Sequence, residues 1–314
     1  MKRLKFDNYQ RFFTIYLILT SCLWTSSRLL AAPCCGGNGS SISLITGDEK
    51  SVFRFHFSHS AVVMDASPDG RYYPRYSDDI DLRNTSVIEG GRIVHDRWQV
   101  RFLLPLIYQY RQVIGSKEIE FGLGDLVLGG GWEFMPLYRY SKWKPKGFVF
   151  ANLTVPLGKS VYDSNNALFS DALSQGFYRL STGFLFAKSW SFFDASLGSE
   201  LHYSLARRFK SGEQNEFVNP GFGFSSNMGG GAKLWDSGMR LGVELTPIYE
   251  SGVQINGTTT EHQLVWNTSL SLQYLLSNDW GVSIVYTDQT LMGPARNRAL
   301  TRLLGVTLSK TWDR

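Results

Sequence analysis

From Trp98 onward the chain alternates apolar and polar residues with a period of two. That is the pattern of a β-strand whose two faces meet different surroundings. Trp98, Val100, Phe102, Leu104, Leu106, Tyr108 and Tyr110 fall on one face, with Gln99, Arg101, Gln109 and Arg111 on the other. The same division recurs between Phe193 and Leu205, between Leu264 and Tyr274, from Trp280 to Thr287, and from Leu304 to Trp312. About twelve such runs can be traced, an even number within the range of bacterial barrels. They begin near Val52, Ile80, Trp98, Ile119, Gly147, Phe177, Ser191, Phe217, Met239, Leu264, Trp280 and Thr301. The run near Ile119 loses phase at Gly124 and Asp125, where one extra residue in a β-bulge would restore it.

Alternation suits a soluble sandwich as well as a membrane barrel, because both have one apolar and one polar face. Three features favour the barrel. The polar face is built mainly from Ser, Gly, Thr and Asn, as a crowded lumen requires, where a soluble surface would carry more Lys and Glu. Connections alternate in length: those near His95, Ser189, Asp236 and Asn278 are short, while 65–79, 158–176, 207–216, 251–261 and 291–300 are long. Short periplasmic turns and long external loops have this rhythm. The connection 137–146 breaks it. Finally, Trp98, Trp132, Trp143, Trp190, Trp235, Trp280 and Trp312 all fall near the short-turn end. Tryptophan favours a membrane interface, where the ring is buried and the N–H stays wet, so these seven are expected to form a periplasmic girdle. Tyr108, Tyr110, Tyr203 and Trp266 would make the external one.

The expected fold is therefore all-β, a transmembrane antiparallel up-and-down barrel of about twelve strands over residues 51–314. An arginine facing lipid at mid-membrane costs about 2–4 kcal/mol, which directs Arg101, Arg179 and Arg240 into the lumen. Lys310 has outward parity, tolerable near the chain's end because its stem can snorkel.

Composition agrees with this picture. Aromatic residues make up 14% of the chain, and 31 glycines accompany only 10 prolines. Of the net charge of +5, four units come from Lys2, Arg3, Lys5, Arg11 and Arg28 against Asp7. What remains is near neutral and gives no electrostatic reason to expect nucleic acid as a partner. The basic start, the apolar stretch Phe12–Trp24 and the small residues Ala31 and Ala32 predict a signal peptide over 1–32, followed by a periplasmic segment 33–50. Leu19-Thr20-Ser21-Cys22 offers the alternative of a lipidated cysteine. Cys34 and Cys35 are adjacent, a spacing that strains a disulfide, and no histidine nearby completes a metal set.

The segment Gly122-Leu-Gly-Asp-Leu-Val-Leu-Gly-Gly-Gly-Trp-Glu-Phe134, followed by Leu153-Thr-Val-Pro-Leu-Gly158, resembles elements of an outer-membrane barrel family associated with the meta-pathway of phenol degradation. Pro156-Leu157-Gly158 departs from that family's commoner Pro-Thr-Gly. The resemblance covers about two hairpins. It implies a barrel that moves small, hydrophobic or aromatic compounds, and it supplies no catalytic residues.

Individual motifs add little chemistry. Gly122–Gly131 lacks the spacing and the following helix of a dinucleotide site. His56 lies among Ser58, His59 and Ser60, which invites a hydrolase reading, yet strand parity places His56 on the polar face as a lumen residue, and His202 likewise. The candidate selectivity residues are His56, Arg101, Arg111, Arg179, Asp194, Glu200, His202, Arg240 and Glu244. Either they set up a transverse field in the pore or they pair only to satisfy buried charge. Loop 158–176 could fold inward through Phe169 and Leu173, although an exposed loop is the default. Arg296 and Arg298 in the last long loop could meet lipopolysaccharide.

The expected function is a bacterial outer-membrane channel or transporter for small solutes, needing no catalytic residue, metal or cofactor. Its expected partners are membrane lipids, lipopolysaccharide, the solute and the barrel-assembly machinery. An outer-membrane hydrolase acting on lipid or protein is the alternative, and a structural or adhesive barrel follows it.

Overall fold

The computed structural model describes residues 44–46, 49–76, 78–139, 141–211, 214–234, 238–276 and 279–313. The expected signal peptide, Cys22, Cys34, Cys35 and Trp235 lie outside them. The strands are β1 (Glu49–Ala66), β2 (Tyr72–Pro74), β3 (Ile80–Val94), β4 (Trp98–Val113), β5 (Ser116–Leu123) and β6 (Leu126–Met135). There follow β7 (Lys146–Val155), β8 (Arg179–Ser189), β9 (Phe193–Ser204), β10 (Arg207–Ser211), β11 (Gln214–Asn219) and β12 (Gly221–Leu234). The last are β13 (Met239–Glu250), β14 (Gln254–Ile255), β15 (Thr258–Thr259), β16 (Gln263–Leu275), β17 (Trp280–Asp288) and β18 (Arg298–Asp313).

Neighbours in sequence are neighbours in the sheet, running β1, β3, β4, β5 with β6, β7, β8, β9, β12, β13, β16, β17 and β18. The last strand then pairs with the first, so Phe55 lies opposite Leu308 and Phe57 opposite Val306. The result is a closed antiparallel barrel of twelve strands, β5 and β6 together filling one position. Closure matters energetically, because every unpaired strand edge presented to an apolar surrounding would leave N–H and C=O groups without partners.

The expected phase break is present. On β4, Leu103 and Leu106 are three residues apart; their partners Val127 and Leu123 are four apart. One extra residue at Gly124–Leu126 absorbs the difference, and the Gly124 amide donates to the Pro105 carbonyl at 2.9 Å.

The faces divide as the alternation requires. Trp98 and Val100 are 56% and 53% exposed on the outside, whereas Gln99 and Arg101 between them are 3% and 6% exposed on the inside. Phe53, Phe55 and Phe57 on β1, Val243 on β13, Leu270 on β16 and Ile284 on β17 extend the exposed apolar belt. A continuous belt of this kind is stable in contact with lipid and an aggregation surface in water. Lys310 points outward as its parity demands. Its ammonium pairs with Asp279 at 2.8 Å and lies 5.3 and 5.9 Å from the ring centres of Trp280 and Trp312.

Two expectations need correction. Phe217 belongs to β11, and the barrel strand that follows starts at Gly221. Segments 207–216 and 251–261, read as loops, hold β10, the first half of β11, β14 and β15, and these four strands form a separate sheet. That sheet is seeded by an aromatic cluster of Tyr162, Phe177 and Phe209 with Val218. Strands of two to six residues are too short for period-two reading to detect.

The packing yields a stability test. Val306→Arg, placing a guanidinium on the outer face midway along β18, is expected to cost about 2–4 kcal/mol in urea unfolding from lipid vesicles. Ser283→Arg, on the inner face of β17 beside Thr307, is expected to cost less than half as much.

Candidate functional site: the barrel lumen

Small residues on the inner wall leave room for long polar side chains to cross it. A Cβ on Gly129 would fall 2.5 Å from Asn152 Oδ1 and 2.8 Å from Arg101 Nε, and one on Gly305 would fall 2.7 Å from the His56 ring. These glycines are required by close approach, and they explain why the polar faces are so poor in larger side chains.

The charges held in that space are mostly paired across strands. Arg54 meets Glu89 at 3.1 Å, Arg240 makes a two-nitrogen bond to Asp194, and His202 Nε2 lies 2.9 Å from Glu250. Arg101 donates to Asn152 Oδ1 at 3.0 Å, and Asn152 in turn donates to Ser181 Oγ at 3.0 Å. Arg111 reaches Asp81 at 3.2 Å, and Arg75 binds Asp65 at 2.8 Å. Each pair offsets the cost of taking an ion out of bulk water.

All nine candidate lumen residues thus lie on the inner face, although they do not form one cluster. His56 sits against Thr307, with Nδ1 2.8 Å from its hydroxyl, while Ser58 and Ser60 donate to backbone carbonyls of β3. Arg179, Glu200 and His202 line a small cavity of about 40 Å³ together with Glu250 and Ser181. Arg111, Arg179 and His56 line a larger chamber of about 250 Å³. Glu244 is exposed and accepts from the Asn227 amide. Among the described residues no group of three or more His, Cys, Asp or Glu is placed to hold a metal.

Both ends of this space are narrowed. At the short-turn end, residues 44–46 enter the barrel. The Gln99 side-chain amide accepts from the Ile45 N–H at 2.9 Å and donates to its carbonyl at 2.7 Å, as a paired strand would. Lys146 holds the Thr46 carbonyl at 2.9 Å, and Ile45 packs with Val52 and Ile93. Sequence reading left this segment outside the barrel, since three residues carry no periodicity.

At the long-loop end the connection between β7 and β8 folds inward, correcting the expectation of an exposed loop. Ser160, Ser170, Ala172, Leu173 and Ser174 are buried. Arg83 donates to the Leu173 carbonyl at 3.2 Å, and Arg111 donates to the Leu168 and Phe169 carbonyls at 2.9 Å each. Glu118 accepts from the Leu168 amide and the Ser170 hydroxyl, and Asp125 accepts from Ser174 and the Gln175 amide. Within the loop, burial works against ionisation of Asp171, yet hydrogen bonds from Ser164, the Asn165 amide and Lys159 outweigh it and hold its carboxyl below the usual range.

The described tryptophans of the expected girdle, Trp98, Trp132, Trp143, Trp190, Trp280 and Trp312, gather at the short-turn end. Trp98 stacks on Trp132 with ring centres 6.1 Å apart, Trp280 and Trp312 flank Lys310, and Trp190 donates to the Lys142 carbonyl in the connection that carries Trp143.

No protein-family profile matches the sequence, and no curated protein matches it either. The family associated with phenol degradation is therefore not shown. Solved structures do match. An outer-membrane channel from Pseudomonas putida F1 aligns with a TM-score of 0.67 at 14% identity, over 85% of this chain and 96% of that one. The β domain of the Bordetella autotransporter BrkA aligns at 0.48 with 9% identity, over 84% of this chain and 100% of the other. The Ralstonia pickettii toluene transporter TbuX aligns at 0.41 with 8% identity, over 84% and 90%. The first of these likenesses places the chain in the fold of outer-membrane β-barrels.

Proposed function

We propose that this chain is a bacterial outer-membrane channel or transporter that passes small solutes through a restricted interior. One observation carries the reading: a closed barrel whose outside is apolar encloses a chamber of mixed lining, with the loop 158–176 folded in against it and residues 44–46 clasped inside the wall at the other end of the lumen. An open hydrophilic pore would need neither the inward loop nor the Gln99 clasp. A structural or adhesive barrel would not need a chamber. The likeness to a Pseudomonas putida outer-membrane channel supports the same reading.

The chamber's lining is mixed, with Leu103, Pro105, Val127 and Leu303 beside Arg83, Arg111 and Arg179. This suits compounds that are partly apolar better than sugars or salts. In this account residues 1–32 direct export, the short-turn end with its tryptophans lies at the periplasmic interface, and the long loops meet lipopolysaccharide. The belt contacts membrane lipids, and the barrel-assembly machinery inserts the chain.

Purified protein in liposomes is expected to admit small neutral solutes slowly in a swelling assay, and to exclude disaccharides. Impermeability to every small solute tried would defeat the channel reading. Gln99→Ala removes two hydrogen bonds of about 1 kcal/mol each from the clasp on Ile45. Single-channel recording of that variant is expected to show conductance raised several-fold.

The inward loop supplies a pH test. Because the folded state holds the Asp171 carboxyl below its ordinary range, its contribution to the loop's internal fold is complete at neutral pH and is lost as pH falls through the folded value. Limited proteolysis within 158–176 is expected to accelerate below about pH 4, and Asp171→Asn is expected to show the fast rate already at pH 7.

A further inference from the structure

Four arginines line the larger chamber, Arg75, Arg83, Arg111 and Arg179, against the two carboxylates of Asp81 and Asp125. Their commitments differ. Arg75 is held by Asp65 and lies 3.7 Å from Asp81, and Arg111 is held by Asp81 and two loop carbonyls. Asp125 is occupied by the Ser174 hydroxyl and the Gln175 amide. Arg179 donates from Nε to the Ser204 hydroxyl at 3.2 Å and makes no ion pair among the described residues. The charges of Glu250 and Asp125 reach Arg179 through space, but Glu250 is bonded by His202, and neither carboxylate forms a direct ion pair with Arg179.

Arg179 also occupies a particular place. It begins β8 where the inward loop ends, and with Val127 and Thr154 it lines both the small cavity and the large chamber. A guanidinium presents five donors in a planar fork that matches a carboxylate through two parallel hydrogen bonds. Leu103, Pro105, Ala172 and Leu173 line the same chamber and supply apolar surface to it. The chamber measures about 250 Å³, larger than the ~150 Å³ that holds benzene in an apolar protein cavity.

We propose that this chamber binds organic monocarboxylates with a compact apolar body, the carboxylate on Arg179 and the body against the Leu103–Pro105 and Ala172–Leu173 wall. The inference rests on the channel reading and names the solute class within it. A phosphate dianion would want two uncommitted cations where the geometry supplies Arg179. A neutral aromatic would fill the wall and leave the guanidinium unpaired.

The test is isothermal titration of the full-length folded barrel in detergent, with empty micelles as reference. The probes are benzoate, benzamide as its neutral analogue, and octanoate as the acyl-chain form of the same chemistry. Benzoate is expected to bind about tenfold or more tightly than benzamide. Arg179→Gln is expected to bring the two within about twofold, and Arg179→Lys to retain part of the preference because the charge survives without the fork. Arg302→Gln, which removes the same charge from the outer face, is expected to leave the preference unchanged. Heat-modifiability on gels confirms that each variant is folded.

Binding of benzoate but not octanoate identifies free aromatic acids as the source, and binding of octanoate but not benzoate identifies lipid-derived acids. Either result supports the carboxylate site if Arg179→Gln abolishes it. Equal binding of benzoate and benzamide, or a preference untouched in Arg179→Gln, overturns the proposal. If neutral solutes still swell liposomes in that case, the channel reading stands and this inference alone fails.

Discussion

The structure depends on closing a ring of main-chain hydrogen bonds. In an apolar surrounding each unpaired N–H or C=O costs several kcal/mol, so strands can face lipid only if no edge is left over. The long register of β1 on β18, from Glu49–Asp313 at one end to Ala66–Arg298 at the other, supplies the last set of bonds. With the backbone satisfied internally, outward side chains are free to be phenylalanine, valine and leucine. Inward side chains are then confined to a narrow space where each volume and charge must be accommodated.

That confinement shapes the interior. Glycines on the wall admit Arg101, His56 and Arg240, and most of the charges that enter are met by a partner one or two strands away. The clasp of Gln99 on Ile45 and the web of Arg83, Arg111, Glu118 and Asp125 on loop 158–176 convert what would be a wide tube into a bounded chamber. Function follows from the remainder. The space left open is partly apolar, and Arg179 borders it with no ion pair of its own among the described residues.

Much of the wall was legible in the sequence because period-two alternation needs only a contrast between adjacent residues, and every barrel strand but one begins within three residues of its expected position. The exception is β12, displaced four residues from Phe217 to Gly221 because the hairpin before it continues the apolar pattern into a different sheet. Parity assigns Arg101, Arg179 and Arg240 to the inner face, since the cost of an arginine in lipid leaves one choice. The interior was far less legible. Which charge meets which depends on register between strands remote in sequence: His56 and Thr307 are 251 residues apart. Loop 158–176 is polar enough to read as exposed, because its polar groups find partners other than water: Ser170 and Ser174 bond Glu118 and Asp125, its carbonyls take Arg83 and Arg111, and Asp171 is held within the loop. Leu173 was a signal for inward folding, but a single leucine in a polar loop has no period to support it.

The central claim, that the apolar face looks into lipid and the polar face surrounds the axis, is tested most directly by spin labels. Single cysteines at Val100, Leu270 and Ile284 would be compared with ones at Ser58, Ser181 and Ser269 after replacing the native cysteines and reconstituting the protein in bilayers. The account predicts that the first three labels collide freely with dissolved oxygen and are shielded from a water-soluble nickel complex, and that the second three, enclosed in the lumen, lack that excess of oxygen collisions. Labels at Val100, Leu270 and Ile284 that meet the nickel complex more readily than they meet oxygen would contradict it.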